Sequence, residues 1–385
     1  MLPPEIARRT HIKDALAKRG SPGSRYRIAT PAAVVDLNIL ERNLATASQL
    51  LKGRSVALRP HTKSHKCSFL ARLQVDAGAA GVCCAKLGEA EAMAENGIQS
   101  ILVTSQIFGP EAAARALHLA GAIRDFAVVV DNPVVVEQLS SEARARSFIL
   151  PVLIDVDVGQ RRTGVVSPQM AIEVARAIAK QPFLKLRGVQ GYGGSWQHIH
   201  GGEARHDAVS KGMSALVSVI DALCGEGFAI SVVTGAGTGT LKADLSLGVL
   251  TEFQPGSYIF MDREYHEALG HEGPRFETSL FVQAQVISAN QAEHVTLDAG
   301  LKAFATDGPM PKPASAGFES CEYKFFGDEF GLLTKPNGVK IRLGDRVEFE
   351  VPHCDPTVDR YDVLHLVRGN VLVEIVPIEG RGRSQ

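Results

Sequence analysis

The sequence predicts an α/β protein: a (β/α)8 TIM-like barrel followed by a C-terminal, mainly antiparallel β domain. Three observations carry this. From Thr30 to about Met261, short apolar runs alternate with longer amphipathic stretches, eight or nine times in roughly 230 residues, the density of a closed barrel. No glycine-rich phosphate fingerprint follows the first strand, which disfavours a doubly wound dinucleotide-binding sheet. After Glu277 the period changes to that of alternating strands.

The expected barrel strands are Ala32 to Val35, Val56 to Arg59, Gly81 to Cys84, Ile101 to Thr104, Phe126 to Val130, Leu150 to Val156, Leu184 to Val189, Ile230 to Val233 and Thr251 to Gln254. Each is short, mostly apolar and followed by a turn or helix-start signal, as parallel strands buried on both faces require. In the first helix Asn38 and Glu41 read as a capping pair, Leu40, Leu44, Ala47 and Leu51 share one face, and Gly53 follows the end. Similar helices fit Ser167 to Lys180 and Ala204 to Cys224. The β domain is expected to contain Leu280 to Ile287, His294 to Leu297, Arg346 to Val351 and Val363 to Ile375, with Ala303 to Pro336 a long loop near a site. The expected division is an N-terminal segment, 1–29, placed against the β domain, a barrel over 30–270, and a β domain over 271–385.

The 41 basic and 42 acidic side chains give a net charge of -1, so no electrostatic footprint points to nucleic acid or an anionic membrane. Small-molecule chemistry is favoured. Six cysteines in 385 residues make no disulfide framework and no CxxC zinc motif, which fits a reducing cytoplasm. The N-terminus lacks the apolar core of a secretory signal, and no apolar run reads as a membrane span.

Three segments have the residue types that chemistry needs. LRPHTKSHK, Leu58 to Lys66, follows a barrel strand, so Lys63 belongs at the C-terminal face where barrel active sites are assembled. A lysine held there among other cations keeps its amine free for imine formation; the alternative is a basic surface loop. TGAGTGT, Thr234 to Thr240, and QPGSYIFMD, Gln254 to Asp262, follow successive late strands, where glycines let backbone N–H groups approach a phosphate or simply make turns. In VPHCDPTVD, Val351 to Asp359, His353 and Asp355 share one side of an extended strand end, Cys354 pointing away. One imidazole and one carboxylate suit Mg²⁺, Mn²⁺ or Zn²⁺, or else merely cap the strand.

Between these lie DVDVGQRRTGV and GYGGSWQHIH. Arg162 is a candidate for a cofactor oxygen or ring nitrogen, or for pairing with Asp155 or Asp157. His198 is a candidate base, or a solvated histidine. Cys83 and Cys84 read as a buried strand pair.

Taken in order, RPHTKSHK, GVCCAKLGEAEA, VDVGQRRTGV, GYGGSWQH, TGAGTGT, GSYIFMD, LDAGLK and HCDPT resemble the D-threonine aldolase family, one of the alanine-racemase-like, fold-type III pyridoxal-phosphate (PLP) enzymes. The resemblance spans Thr30 to Gly382 and implies a PLP-binding barrel plus a β domain in a head-to-tail homodimer. It matches Lys63 to the Schiff-base lysine, and His353 and Asp355 to the ligands of a divalent metal, Mg²⁺ or Mn²⁺ with Zn²⁺ as a further option. Arg162 and Tyr192 match cofactor-pocket positions. Thr238, Gly239, Gly256, Ser257 and Tyr258 fall in phosphate-binding segments, and His198 matches a histidine that assists proton removal.

The implied reaction is cleavage of a D-3-hydroxy amino acid to glycine and an aldehyde. D-serine and 3-hydroxyaspartate dehydratases share the scaffold but usually carry Cys where this chain has Asp355. A racemase is a further alternative, and a non-catalytic PLP carrier would lack the β domain. The chain departs from the family pattern at Ala85, where Gln is common, at Phe330, where a DEHG-like segment has His, and at Asp359, where Asn is common. Phe330 bears most on which 3-hydroxy amino acid fits.

Overall fold

The computed structural model describes residues 2–336 and 338–385. Two compact units divide the chain, one formed by Met1–Ala47, Ser257–Glu267 and Arg275–Ile378, the other by Ser48–Gly256, Ala268–Pro274 and Glu379–Gln385.

Strand β1, Ala32–Asp36, forms where an apolar run predicts one, but not in the barrel. It pairs antiparallel with β10, Leu280–Ser288, and parallel with a C-terminal strand, so it belongs to the β unit. Five buried apolar and acidic residues in a row suit the centre of either sheet, and the choice is made by partners some 250 residues away in sequence, such as Gln283 opposite Ala32. The following helix, Leu37–Leu51, is capped by Asp36, whose Oδ1 accepts the Asn38 N–H at 3.1 Å. Glu41, expected to cap it, instead pairs with Arg368.

The second unit is the barrel. Among its described residues eight parallel strands run in the order β2-β9-β8-β7-β6-β5-β4-β3: Ala57–Leu58, Glu252–Phe253, Val232–Gly235, Leu184–Gly191, Leu150–Val156, Asp125–Val130, Ser100–Val103 and Val82–Cys84. The ring closes because Ala80 donates to the Leu58 carbonyl and Cys83 to that of Pro60, both at 2.8 Å, with His61 bridging to Cys83.

The inner face is layered. At the strands' N-terminal ends Arg59 binds Glu252 and Ser100, each at 2.8 Å. The middle is apolar, with Cys83, Leu102, Ala127, Val129 and Leu153 in one cluster. Towards the C-terminal ends polar side chains return: Asp155 accepts from Gln106, Gln190 and Thr163, and Gln254 donates to Gln190 and Thr234. Every one of these buried groups is hydrogen-bonded, as a low-dielectric interior demands, so the chemistry-facing end of the barrel is rigid.

The helix Gly202–Gly225 is long and apolar enough to cross a membrane by length and composition, contrary to the expectation that no run would be. In the barrel its Val209, Met213, Leu216, Val219 and Leu223 are buried, and it contacts β7 and the helix Pro168–Ala179.

In the β unit the described strands run β13-β14-β11-β10-β1-β16-β17, with β15 on β10 and β12 on β15. These are Tyr323–Phe325 (β13), Gly331–Thr334 (β14), His294–Leu297 (β11), Val363–Arg368 (β16), Val371–Pro377 (β17), Arg346–Glu350 (β15) and Lys312–Pro313 (β12). Two expectations change here. The run Val363 to Ile375 is a hairpin that turns at Gly369, where φ is 55°. The loop Ala303 to Pro336 contains β12, β13 and β14, short strands that sheet partners stabilise despite their Gly- and Lys-rich composition. Ile6, Ile12, Ala15 and Ile28 share a core with Val34, Val363, Leu372 and Ile375, and buried Arg25 clasps Glu348 at 2.6 and 2.8 Å while reaching Asp36 at 2.9 Å.

Candidate active site

The barrel unit brings three of the expected residues, Lys63, Arg162 and Tyr192, together. Lys63 sits in a single 3-10 turn, Thr62–Ser64, entered through His61, whose Nδ1 accepts the Lys63 N–H at 3.3 Å. The other ring nitrogen of His61 meets Thr104 Oγ1 at 3.0 Å, so the lysine loop is pinned to the end of β4. Lys63 Nζ lies 5.9 Å from the centroid of the Tyr192 ring and the Arg162 guanidinium 5.8 Å from it. Two cations thus share one aromatic ring just beyond β2, β6 and β7, an arrangement that holds an amine beside a second positive charge.

A feature that sequence reasoning missed lies beneath the loop. Glu89, in the helix Leu87–Glu95, is buried, with one carboxyl oxygen 2.5 Å from Thr62 Oγ1 and the other accepting the Ala85 N–H at 2.8 Å. Burial raises its pKa above the usual carboxylate range. The motif GVCCAKLGEAEA carried the signal, since a glutamate on the apolar face of a short helix needs a partner.

The two glycine-rich segments are near these loops. His61 donates to the Pro255 carbonyl at 3.1 Å, and a Cβ on Gly256 would stand 3.1 Å from the His61 carbonyl oxygen. In TGAGTGT the close neighbour is Gln197: its Oε1 accepts the Gly239 N–H at 2.9 Å and its Nε2 donates to Gly193 O and Thr240 Oγ1. A Cβ on Gly239 would overlap the Gln197 backbone, so that glycine is required by packing, while at Gly237 it would meet the end of the Gln197 side chain. Gln197 was also missed, although it sits in GYGGSWQH. Thr238 Oγ1 is fully buried and has no hydrogen-bond partner among the described residues. An orphaned hydroxyl in a glycine-tight loop after a late barrel strand fits an anionic group such as a phosphate. His198 is half-buried next to Gln197.

The other unit contains the remaining candidates. Ser257 and Tyr258 open it in a 3-10 turn, Ser257–Ile259, and the Tyr258 ring is buried edge-on against Phe276 at 5.5 Å. His353 has the extended backbone expected, but Asp355 does not: it is in the first turn of a short helix, Cys354–Val358. Pro356 explains the change, because its fixed φ and missing N–H suit a first helical turn. The argument from strand alternation therefore fails, since one residue is the helix cap and the other lies in its first turn.

Carboxylates surround His353. Its Nδ1 is 2.9 Å from Asp307 Oδ2 and 3.8 Å from Glu264 Oε2. Burial alone would lower its pKa; Asp355, Asp307 and Asp262 outweigh that and raise it. Asp262, wholly buried, accepts the Tyr265 and Cys354 N–H groups at 2.9 and 2.8 Å, and burial lifts its carboxyl to about 6. Among the described residues no three His, Cys, Asp or Glu side chains converge as a ligand set. The imidazole and carboxylate of His353 and Asp355 fit a hard or borderline divalent ion that takes its other ligands from water and substrate.

Sequence comparison joins these two halves. The family model described as the alanine racemase N-terminal domain matches residues 35–264, and that of a putative serine dehydratase domain matches 279–367. A D-threonine aldolase from Arthrobacter sp. is 36% identical over 96% of this chain and 98% of its own length.

The chain belongs to the D-threonine aldolase family.

Other members of the group agree. A 3-hydroxy-D-aspartate aldolase from Paracoccus denitrificans (strain Pd 1222) is 33% identical over 93% of both chains. The crystal structure of the D-threonine aldolase from Filomicrobium marinum superposes with a TM-score of 0.89 at 34% identity, covering 93% of this chain and 97% of that one. As in that family, the barrel and the β-rich part both fall within the matched residues, so the resemblance expected from the motifs extends over nearly the whole sequence.

Proposed function

We propose that the protein is a PLP- and divalent-metal-dependent aldolase that cleaves a D-3-hydroxy amino acid, D-threonine-like, to glycine and an aldehyde. The observation that carries this reading is the shared Tyr192 ring: Lys63 and Arg162 approach it together at a barrel's C-terminal face. PLP, when bound, supplies an aldehyde that condenses with amines and a ring that delocalises the carbanion left by Cα–Cβ cleavage.

Lys63 would hold that group covalently through its Nζ. Thr238 Oγ1 and the backbone of Gly239, Gly256, Ser257 and Tyr258 hold its phosphate, while Tyr192 and Arg162 fix its plane. His353 and Asp355 would hold the divalent ion, Mg²⁺ or Mn²⁺ in preference to Zn²⁺, and its charge would supply a lowered pKa to a hydroxyl beside it. His198 accepts the proton of the substrate 3-hydroxyl as the aldehyde forms. The six free cysteines suit a reducing cytoplasm, and the family resemblance supports a homodimer.

The second reading is a dehydratase, favoured by the match of residues 279–367 to the serine dehydratase model. It would release ammonia and a keto acid. The cofactor assignment is tested by an absorbance spectrum of the purified protein: an imine band near roughly 420 nm, absent in Lys63→Ala, supports it, and a protein that binds no PLP refutes it.

A further inference from the structure

We propose that Asp307 is the positioning carboxylate of the metal centre, holding the His353 ring in the one tautomer and orientation that leave Nε2 for the ion. The inference rests on the reading of His353 and Asp355 as metal ligands and adds a residue to it.

The hydrogen-bond inventory is decisive. Asp307 Oδ2 lies 2.9 Å from His353 Nδ1, while Glu264 Oε2, at 3.8 Å, is beyond hydrogen-bond reach. A carboxylate only accepts, so the hydrogen is on Nδ1. A neutral imidazole has one N–H, which makes Nε2 the bare nitrogen and the only one with a lone pair to give. Ligating histidines commonly donate their other N–H to a carboxylate in this way.

The chain builds this pair from both sides. Thr357 Oγ1 donates to the His353 carbonyl at 2.7 Å and accepts the Ala305 N–H at 3.0 Å. One hydroxyl therefore ties the segment leading to Asp307 to the helix that contains Asp355. Gly308 lets the backbone pass the strand end: a Cβ there would stand 3.1 Å from the Pro352 carbonyl oxygen. With its backbone fixed, the imidazole keeps two side-chain torsions, and the bond to Asp307 restrains both. The side chain of Asp307 is itself half exposed, so its replacement removes a hydrogen bond without opening a core.

The test is Mn²⁺ binding to the full-length, PLP-loaded protein, followed by the electron paramagnetic resonance signal of free Mn²⁺. Asp307→Ala is expected to weaken Mn²⁺ binding about 10- to 100-fold, the usual cost of losing such a partner, with the imine band unchanged. Asp307→Asn, whose Oδ1 accepts the same N–H, is expected to stay close to the parent. The inference is overturned if Asp307→Ala binds Mn²⁺ like the parent while His353→Ala does not. It is overturned equally if Asn is as damaging as Ala, which would make Asp307 a direct ligand. If His353→Ala binds Mn²⁺ like the parent, the metal reading itself fails with it.

Discussion

Thr62 Oγ1 stands 2.5 Å from Glu89 Oε1 and 3.0 Å from the Cys83 carbonyl oxygen, and it has one hydrogen to give them. The Cys83 N–H bonds to Pro60 across the barrel closure, and the Cys83 carbonyl faces the same way along the strand, where His61 bridges to Cys83. The Thr62 hydroxyl donates to Glu89 at the shorter of the two distances, while burial pushes the Glu89 carboxyl upward. Glu89 thus clamps the turn next to Lys63, accepting from Thr62 and from Ala85.

Glu89→Gln should preserve the clamp, because an amide donates to Thr62 and accepts from Ala85. Glu89→Ala should lower stability by about 1–3 kcal/mol and loosen PLP binding with it. Thermal unfolding and PLP titration of both variants check this; a Gln variant as weak as the Ala variant would mean that the carboxyl is charged.

Thr238→Val separates the cofactor from the fold. The hydroxyl is buried and has no hydrogen-bond partner among the described residues, so its replacement by a methyl group should leave the PLP-free protein as stable or slightly more so. The PLP dissociation constant should rise about tenfold, the worth of one hydrogen bond to an anion. Equal PLP affinity in parent and variant would remove Thr238 from the phosphate site.

Acid stability should depend on His365. Its Nδ1 donates to the Ala33 carbonyl at 3.2 Å, and burial lowers its pKa from 6.5 to about 4. The unfolded chain binds a proton below 6.5 that the folded chain refuses until about 4, so the contribution is present above 6.5 and is lost as pH falls through that window. The loss amounts to about 3 kcal/mol as an order of magnitude. Denaturant melts at pH 7 and pH 4.5 should show a smaller difference for His365→Asn than for the parent; equal differences would assign the acid lability elsewhere.

Much of this architecture was legible because barrel strands are short apolar runs with turn signals after them. Ala32 to Val35 has the same signature, and only its partners Gln283 and His365, far away in sequence, assign it to the other sheet. The strands β13 and β14 were hidden because Tyr323–Phe325 and Gly331–Thr334 are too short to display an alternating period and are held by pairing with each other and β11. Lys63 and the glycine segments stood out because each follows a strand directly.

Glu89, Gln197 and Asp307 were not legible as functional residues. Each has at least one contact distant in sequence, such as that between Asp307 and His353, which no local period encodes. Asp355 was found by type but misplaced in conformation, since Pro356 begins a helix where alternation suggested a strand.

The most direct test of the aldolase reading is product analysis of the purified, PLP-loaded protein incubated with D-threonine, D-phenylserine and D-3-hydroxyaspartate, with and without EDTA. The account predicts glycine and the matching aldehyde in equal amounts from at least one substrate, abolished by EDTA and by His353→Ala. Ammonia with a keto acid in place of glycine would contradict it and make the protein a dehydratase.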